Sequence, residues 1–439
     1  MVVELRALPG VNSACMEHSG DSPLSAADRA RLLDAPRPRR SLPLLAREGT
    51  LVPLAEAARE RDHRCVPRHA VWELTLQCDL SCRHCGSRAG MARPHELTTA
   101  ECLDLVAQLA ELGVKEVTLI GGEAYLRDDW LEIVRAIRAR DMGCGVTSGG
   151  RGFHVERAHA AAAAGLQTVS ISLDGLEQTH DRLRGLRGSY RAALEALSNL
   201  RAAGVPVSVN TQINRLSMPE LEPLLETIVS HGAHSWQLQL TVAMGRAVDE
   251  PEVLLQPYDL LTLFPVLDAL KRRCDAASVR MWPANNIGYF GPYEENLRGS
   301  MPRGHCVSCG AGRGTMGIEA DGAIKGCPSL PSEAWVGGNV RDTPLREIWQ
   351  RSPVLRYTRD RTVDDLWGFC RGCYYADTCR AGCTWTSFVL FGKAGNNPYC
   401  HHRALELARV GKRERLVRIA AAPNKPFDHG RFELVVEDI

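Results

Sequence analysis

The 439-residue chain has almost no lysine: six lysines stand against 47 arginines, and with 52 acidic residues the formal net charge is only +1. A chain without a global basic field is not expected to bind nucleic acid or an anionic membrane through bulk charge. Aromatic residues are sparse, at 6%. No apolar run approaches the ~18 residues that span a bilayer. Residues 1–64 lack the charged-then-apolar pattern of a secretion signal. These absences point to a cytoplasmic protein.

Cysteine is what the chain has in excess, with sixteen copies. In a reducing compartment clustered cysteines read as metal ligands or catalytic thiols rather than disulfides. Hydrophobic residues make up 44% of the chain, enough for a sizeable core, and the length suggests two or three domains.

Residues 1–68 are polar and weakly patterned, with a linker-like stretch at Asp34–Pro43 and short helices expected near 24–33 and 51–60. This extension is a candidate peptide-recognition segment. From about residue 70, apolar β-rich runs alternate with amphipathic helical stretches. Strands are expected at Val71–Leu76, Glu116–Ile120, Gly145–Thr147, Thr168–Leu173, Val205–Thr211 and Trp236–Leu240. Helices are expected over 98–112, 129–140, 154–164, 189–203 and 218–231. Six βα units argue for an α/β fold with a parallel sheet, a partial (β/α)6 TIM-like barrel over 69–285, with a doubly wound sheet as the rival. Residues 286–400 form an irregular cysteine-rich domain with one β-hairpin, Thr315–Ala320 and Ala323–Gly326 around an Asp321-Gly322 turn. Residues 401–439 read as a helix to Ile419, a loop, and a strand over Phe432–Val436.

Cys78-x3-Cys82-x2-Cys85 directly follows the first strand. Three thiolates on one tight loop can hold one face of a [4Fe–4S] cubane and leave one iron open, the mark of a catalytic metal. The alternative is a zinc site, which wants a fourth ligand that is missing locally. This motif resembles that of the radical S-adenosylmethionine (SAM) superfamily, with His84 where many members carry another aromatic ring. Gly121-Gly122-Glu123-Ala124 resembles the family's Gly-Gly-Glu-Pro segment, which the resemblance implies receives the SAM amino group. By the same resemblance Ser148, Ser172, Asp174, Arg184 and Asn210 are cofactor-binding candidates. Strand-end capping is the competing reading for the hydroxyls, and a solvated surface charge the competing reading for Arg184.

Downstream, Cys370-x2-Cys373-x5-Cys379-x3-Cys383 and Cys400 follow Cys306-x2-Cys309 and Gly322-x4-Cys327. This array resembles the SPASM domain of radical SAM enzymes. The resemblance implies two auxiliary [4Fe–4S] clusters: Cys309, Cys327 and Cys383 with Cys306 for one, and Cys370, Cys373, Cys379 and Cys400 for the other. A zinc ribbon of Cys306, Cys309, Cys370 and Cys373 is the alternative, at the cost of stranding four cysteines. Cysteines 15, 65, 102, 144 and 274 read as buried or incidental thiols.

The resemblance further implies three clusters in all, reductive cleavage of SAM to a 5′-deoxyadenosyl radical, and hydrogen abstraction from a substrate. Ribosomally synthesised peptides are the expected class, cross-linked through thioether or C–C bonds or otherwise oxidised. A flavodoxin- or ferredoxin-type electron donor and a separate leader-binding protein are expected partners. Pro328 stands where sulfatase-maturating members carry Asp, which argues against formylglycine formation. A SPASM-type enzyme acting on a small molecule such as a porphyrin or sugar, or maturing a protein residue, stays open. So does a non-enzymatic zinc or iron–sulfur protein. Trp282–Tyr293, Tyr374-Tyr375 and Trp385 read first as packing and second as substrate or cluster contacts.

Overall fold

The computed structural model describes residues 51–288, 290–299 and 309–439. The expected helix at 24–33, the linker at 34–43, Cys15 and Cys306 lie outside them.

Seven strands run parallel in chain order: β1 His69–Thr75, β2 Glu116–Gly121, β3 Gly143–Ser148, β4 Thr168–Ser172, β5 Val207–Ile213, β6 Ser235–Leu240 and β7 Arg280–Pro283. Helices Thr99–Leu112, Trp130–Arg138, Val155–Ala163, Ser189–Ala202, Leu221–Ser230 and Leu260–Ala276 connect them. The order has no reversal point, so the doubly wound topology is excluded. The sheet stays open, ending at β7, a four-residue strand too short to stand out in the sequence.

Period-2 alternation divides the faces of each strand. Trp72 and Leu74 of β1, Val117 and Leu119 of β2, Val169 and Ile171 of β4, and Trp236 and Leu238 of β6 are at most 1% exposed and form the core beneath the helices. Their neighbours line a central cavity instead. The connecting helices have local reasons to start and stop. Thr98 caps the first of them in a reciprocal capping box with Glu101, and Gly113 ends it at φ +95. The stretch Pro251–Ala276 is long and apolar enough to cross a membrane by length and composition, against the reading that no such run exists. More than half of it is buried, with Leu263, Phe264, Leu267 and Leu270 in the protein core.

The expected hairpin is present as β8 Thr315–Ile318 and β9 Ala323–Lys325, extended by β10 Val336–Asn339. β8 pairs in parallel with β1, so the cysteine-rich region continues the barrel sheet to give ten strands in the order β10-β9-β8-β1-β2-β3-β4-β5-β6-β7.

Two local expectations are corrected. Residues 51–59 form no helix; the short helix is Glu60–Arg64, where Asp62 collects Arg59, Arg356 and Arg359. The last helix is His401–Ala408 and stops at Gly411, φ +69. Residues expected to continue it form β11 Lys412–Ala420, antiparallel to β12 Arg431–Asp438. The inward Glu414 and Leu416 show the strand alternation that a helical reading of this charged run overlooked.

Candidate active site

A cavity of about 840 Å³ runs inside the barrel, and Cys78, Cys82 and Cys85 all face it. Their loop leaves β1 and is fastened on each side. The Cys78 N–H donates to Gly90 O at 3.0 Å, Arg83 N–H to Leu183 O at 2.8 Å, and Arg246 Nε to Cys82 O at 2.6 Å. Each sulfur has a donor: Leu80 N–H to Cys78 Sγ at 3.4 Å, Arg184 Nη1 to Cys82 Sγ at 3.7 Å, and Ala89 N–H to Cys85 Sγ at 3.4 Å. Donors of this kind stabilise thiolates and tune the potential of a bound cluster. Burial and then Glu123 push the Cys78 thiol up to about 12, against the Leu80 N–H, which favours the thiolate. Three convergent thiolates at the mouth of a polar bore fit an iron–sulfur cluster with an open iron.

Gly121 and Gly122 are where the sequence placed them, at the end of β2, but their smallness serves the cysteine loop. A Cβ on Gly121 would lie 2.1 Å from Thr75 O, and one on Gly122 1.9 Å from Gln77 O. The Gly122 and Glu123 N–H groups donate to those two carbonyls at 2.9 and 2.8 Å. Glu123 accepts from Ser148 Oγ and from Gly149 N–H, both at 2.6 Å. Burial nonetheless raises its carboxyl to about 7, and a cationic ligand group beside it would favour the charged form. Cys78, Asp79 and Glu123 bring ligand atoms within 4.8 Å of one another. Glu123 already accepts from Ser148, and Asp79 accepts from the Tyr125 hydroxyl at 3.1 Å.

Ser148, Ser172, Arg184 and Asn210 line the same cavity. Arg184 is buried rather than a surface charge. Asp174 departs from the expectation: it is fully buried and absent from the cavity wall. One oxygen takes His84 Nε2 at 2.9 Å and the Arg184 guanidinium, and the other takes Gln212 N–H at 2.8 Å. Burial alone would raise this carboxyl, but Arg184 and then His84 hold it well below the usual range. Asp174 is therefore a positioning group that orients the arginine reaching Cys82. Three buried polar atoms stay unpaired here, Asn210 Oδ1, Arg184 Nε and His84 Nδ1. Unpaired atoms on a cavity wall are what a polar ligand such as SAM would satisfy.

Sequence reading missed most of the bore. Thr118, Ser208, Gln212, Gln237 and Gln239 line it with Asn210 and Ser170. The signal was there: polar residues at i, i+2 and i+4 on β5 and β6, opposite positions that are apolar except for Thr211. Trp282 and Trp385, read first as packing, also stand on the cavity wall.

The downstream cysteines form two groups. Cys309, Cys327 and Cys383 lie close enough to act on one another electrostatically, and burial followed by those neighbours pushes Cys327 up to about 11 and Cys383 to about 12. Cys370, Cys373, Cys379 and Cys400 form the second group on the same criterion. This grouping separates Cys309 from Cys370 and Cys373, against a zinc ribbon. It leaves Cys102, Cys144 and Cys274 as buried thiols in the core.

The comparisons agree with this geometry. Residues 72–227 match the model of the radical SAM superfamily, and residues 309–374 that of the SPASM iron–sulfur cluster-binding domain. The chain is 30% identical to an AdoMet-dependent heme synthase of Methanosarcina barkeri over 77% of this chain and 97% of the relative. It is 29% identical to the mycofactocin maturase MftC of Mycobacterium tuberculosis over 84% and 90%. The structure of Streptococcus suis SuiB bound to S-adenosylmethionine superposes with a TM-score of 0.59 at 17% identity, covering 76% of each chain, which shows a shared fold. With the cysteine loop, the open barrel and the cysteine-rich extension in place, the chain belongs to the radical SAM superfamily and carries a C-terminal SPASM domain.

Proposed function

We propose that this radical SAM/SPASM enzyme acts on a ribosomally synthesised peptide and installs an oxidative modification, a thioether or C–C cross-link among the candidates. The observation that carries the reading is the chemistry of the bore. Its wall offers amides, hydroxyls, aromatic rings and the carboxylates of Glu73, Glu116 and Glu123, and among the described lining residues Arg184 is the one arginine or lysine, already paired with Asp174. Such a lining suits peptide groups and uncharged side chains. It offers no free cation for the carboxylates of a porphyrin, the small-molecule alternative that a heme synthase relative keeps in view.

Cys78, Cys82 and Cys85 would hold the SAM-binding cluster. Cys309, Cys327 and Cys383 with Cys306, and Cys370, Cys373, Cys379 and Cys400, would hold two auxiliary ones. When bound, the cluster and SAM supply a one-electron cleavage that yields a hydrogen-abstracting 5′-deoxyadenosyl radical. Glu123 and the β2 end would hold the SAM ammonium, while Asn210, Ser172 and Arg184 supply polar contacts along its length. The apolar rim excludes water from the reacting carbon. The electron donor and any leader-binding protein are separate partners in this reading.

Co-expression with small peptides encoded beside the gene, followed by mass spectrometry, tests the proposal. A loss of two hydrogens per modification is expected. Unchanged peptides, together with consumption of a porphyrin by the same preparation, would overturn it.

A further inference from the structure

The loop joining β11 to β12, residues 421–430, reaches the barrel interior. Its Phe427 is 7% exposed, lines the cavity, and sits at φ +57, a conformation bulky side chains seldom adopt. The loop is fastened to separate parts of the site. Asp428 accepts from Arg88 Nε, just past the cysteine motif, at 2.7 Å. Gly245 N–H donates to Asp428 O at 2.8 Å, and His429 bridges to Met244. From the β8–β9 hairpin, Lys325 Nζ lies 3.8 Å from the Phe427 ring centroid.

Phe427 belongs to a small apolar cluster distinct from the barrel core. Val242, Met244, Trp385 and Phe427 present it to the cavity. Trp385 Nε1 donates to Met244 Sδ at 3.1 Å, and Met244 Cε lies 3.5 Å from where a Cβ on Gly86 would be. The apolar surface therefore adjoins the cysteine loop, inside a bore whose β5 and β6 walls are polar. Two cations lie against the Phe427 ring, Lys325 and, at 5.4 Å, Arg93, and both are already ion-paired: Lys325 with Glu319 at 2.7 Å and Arg93 with Glu73 at 2.5 Å.

Resting on the peptide reading above, we propose that this slot is the specificity pocket for the substrate residue that surrenders hydrogen, that it takes an uncharged apolar or aromatic side chain, and that Phe427 sets its depth. A charged side chain placed there would lose its hydration without gaining a partner. An apolar one would bury its surface against four side chains next to the cluster loop. The C-terminal hairpin thereby contributes selectivity from a segment outside both matched domains.

The test uses the full-length, anaerobically reconstituted enzyme with SAM. Binding of the N-acetyl amides of Leu, Phe, Trp, Asp and Lys is followed by saturation-transfer NMR in the wild type, Phe427→Ala and Phe427→Leu. The wild type should bind the Leu and Phe amides about tenfold more tightly than the Asp and Lys amides. Phe427→Ala should move the preference towards Trp, and Phe427→Leu, the smaller truncation, should move it in the same direction by less. Equal or tighter binding of the charged amides, or a wild-type profile in both variants, would overturn the proposal. Iron content and Tm are read alongside, and if Phe427→Ala loses either, Phe427→Leu decides the outcome through its own shift towards Trp. In parallel, capped Gly-X-Gly peptides deuterated at X are scored for deuterium delivered to 5′-deoxyadenosine. The expected binding order without transfer from any peptide would leave the slot standing and defeat the peptide reading instead.

Discussion

Asn210 carries a buried oxygen on the cavity wall without a hydrogen-bond partner. Leaving such an acceptor unsatisfied costs about 1–3 kcal/mol. Asn210→Leu should therefore leave Tm unchanged or raised while weakening SAM binding roughly tenfold, measured by anaerobic equilibrium dialysis. Asp174→Asn should act differently, because Asp174 does not face the cavity. It should loosen Arg184 against Cys82, altering the midpoint potential of the cluster and its iron retention more than SAM affinity. An unchanged potential would reduce Asp174 to a packing role. The cysteines were legible because chemistry at fixed spacing survives without knowledge of the fold, and Asn210 only through the family resemblance. Asp174 and Arg184 were legible as residues but not as roles. The ion pair that moves one off the cavity wall and buries the other joins a strand end to a helix ten residues later, and no spacing rule reports burial.

Among the elements, the anchor of the N-terminal segment makes a pH-dependent prediction. Burial would raise the Asp62 carboxyl, but hydrogen bonds from Arg59 and Arg359, with Arg356 beside them, hold it well below its ordinary value. A carboxyl depressed on folding stabilises the native state above its unfolded pKa near 4, and the contribution fades as pH falls through the folded value. Asp62→Asn should cost about 2 kcal/mol at pH 7, the modest figure reflecting solvent access at Arg59. The difference from wild type should shrink below about pH 4. Thermal melts across pH would check both statements. The five alternating elements from β2 to β6 were readable because apolar and polar residues keep period 2 there. The tail was not. Lys412–Arg418 carries charge on nearly every residue, and only the partner strand twenty residues on decides that Glu414 and Leu416 point inward.

On the scale of the whole molecule, iron content separates the readings. Three clusters would bring about twelve irons per chain. Cys379→Ala should remove about four of them and still permit SAM cleavage to 5′-deoxyadenosine. Cys78→Ala should remove a similar number and abolish that cleavage. Zinc in place of iron, or equal cleavage by both variants, would contradict the assignment of cysteines to sites.

The pairing of β8 with β1 has a mechanical consequence. The cysteine loop grows from one strand and Cys327 follows the hairpin hydrogen-bonded to it, so the span between these sulfurs is set by a ladder of backbone bonds running from His69–Thr315 to Trp72–Ile318. It behaves as a ruler, not as a gap between two bodies free to hinge. Its graduations are coarse: one residue of slip would displace Cys327 by ~3.3 Å and turn the whole strand face over. Any electron passing between the two sites would cross a distance written into the register of the sheet.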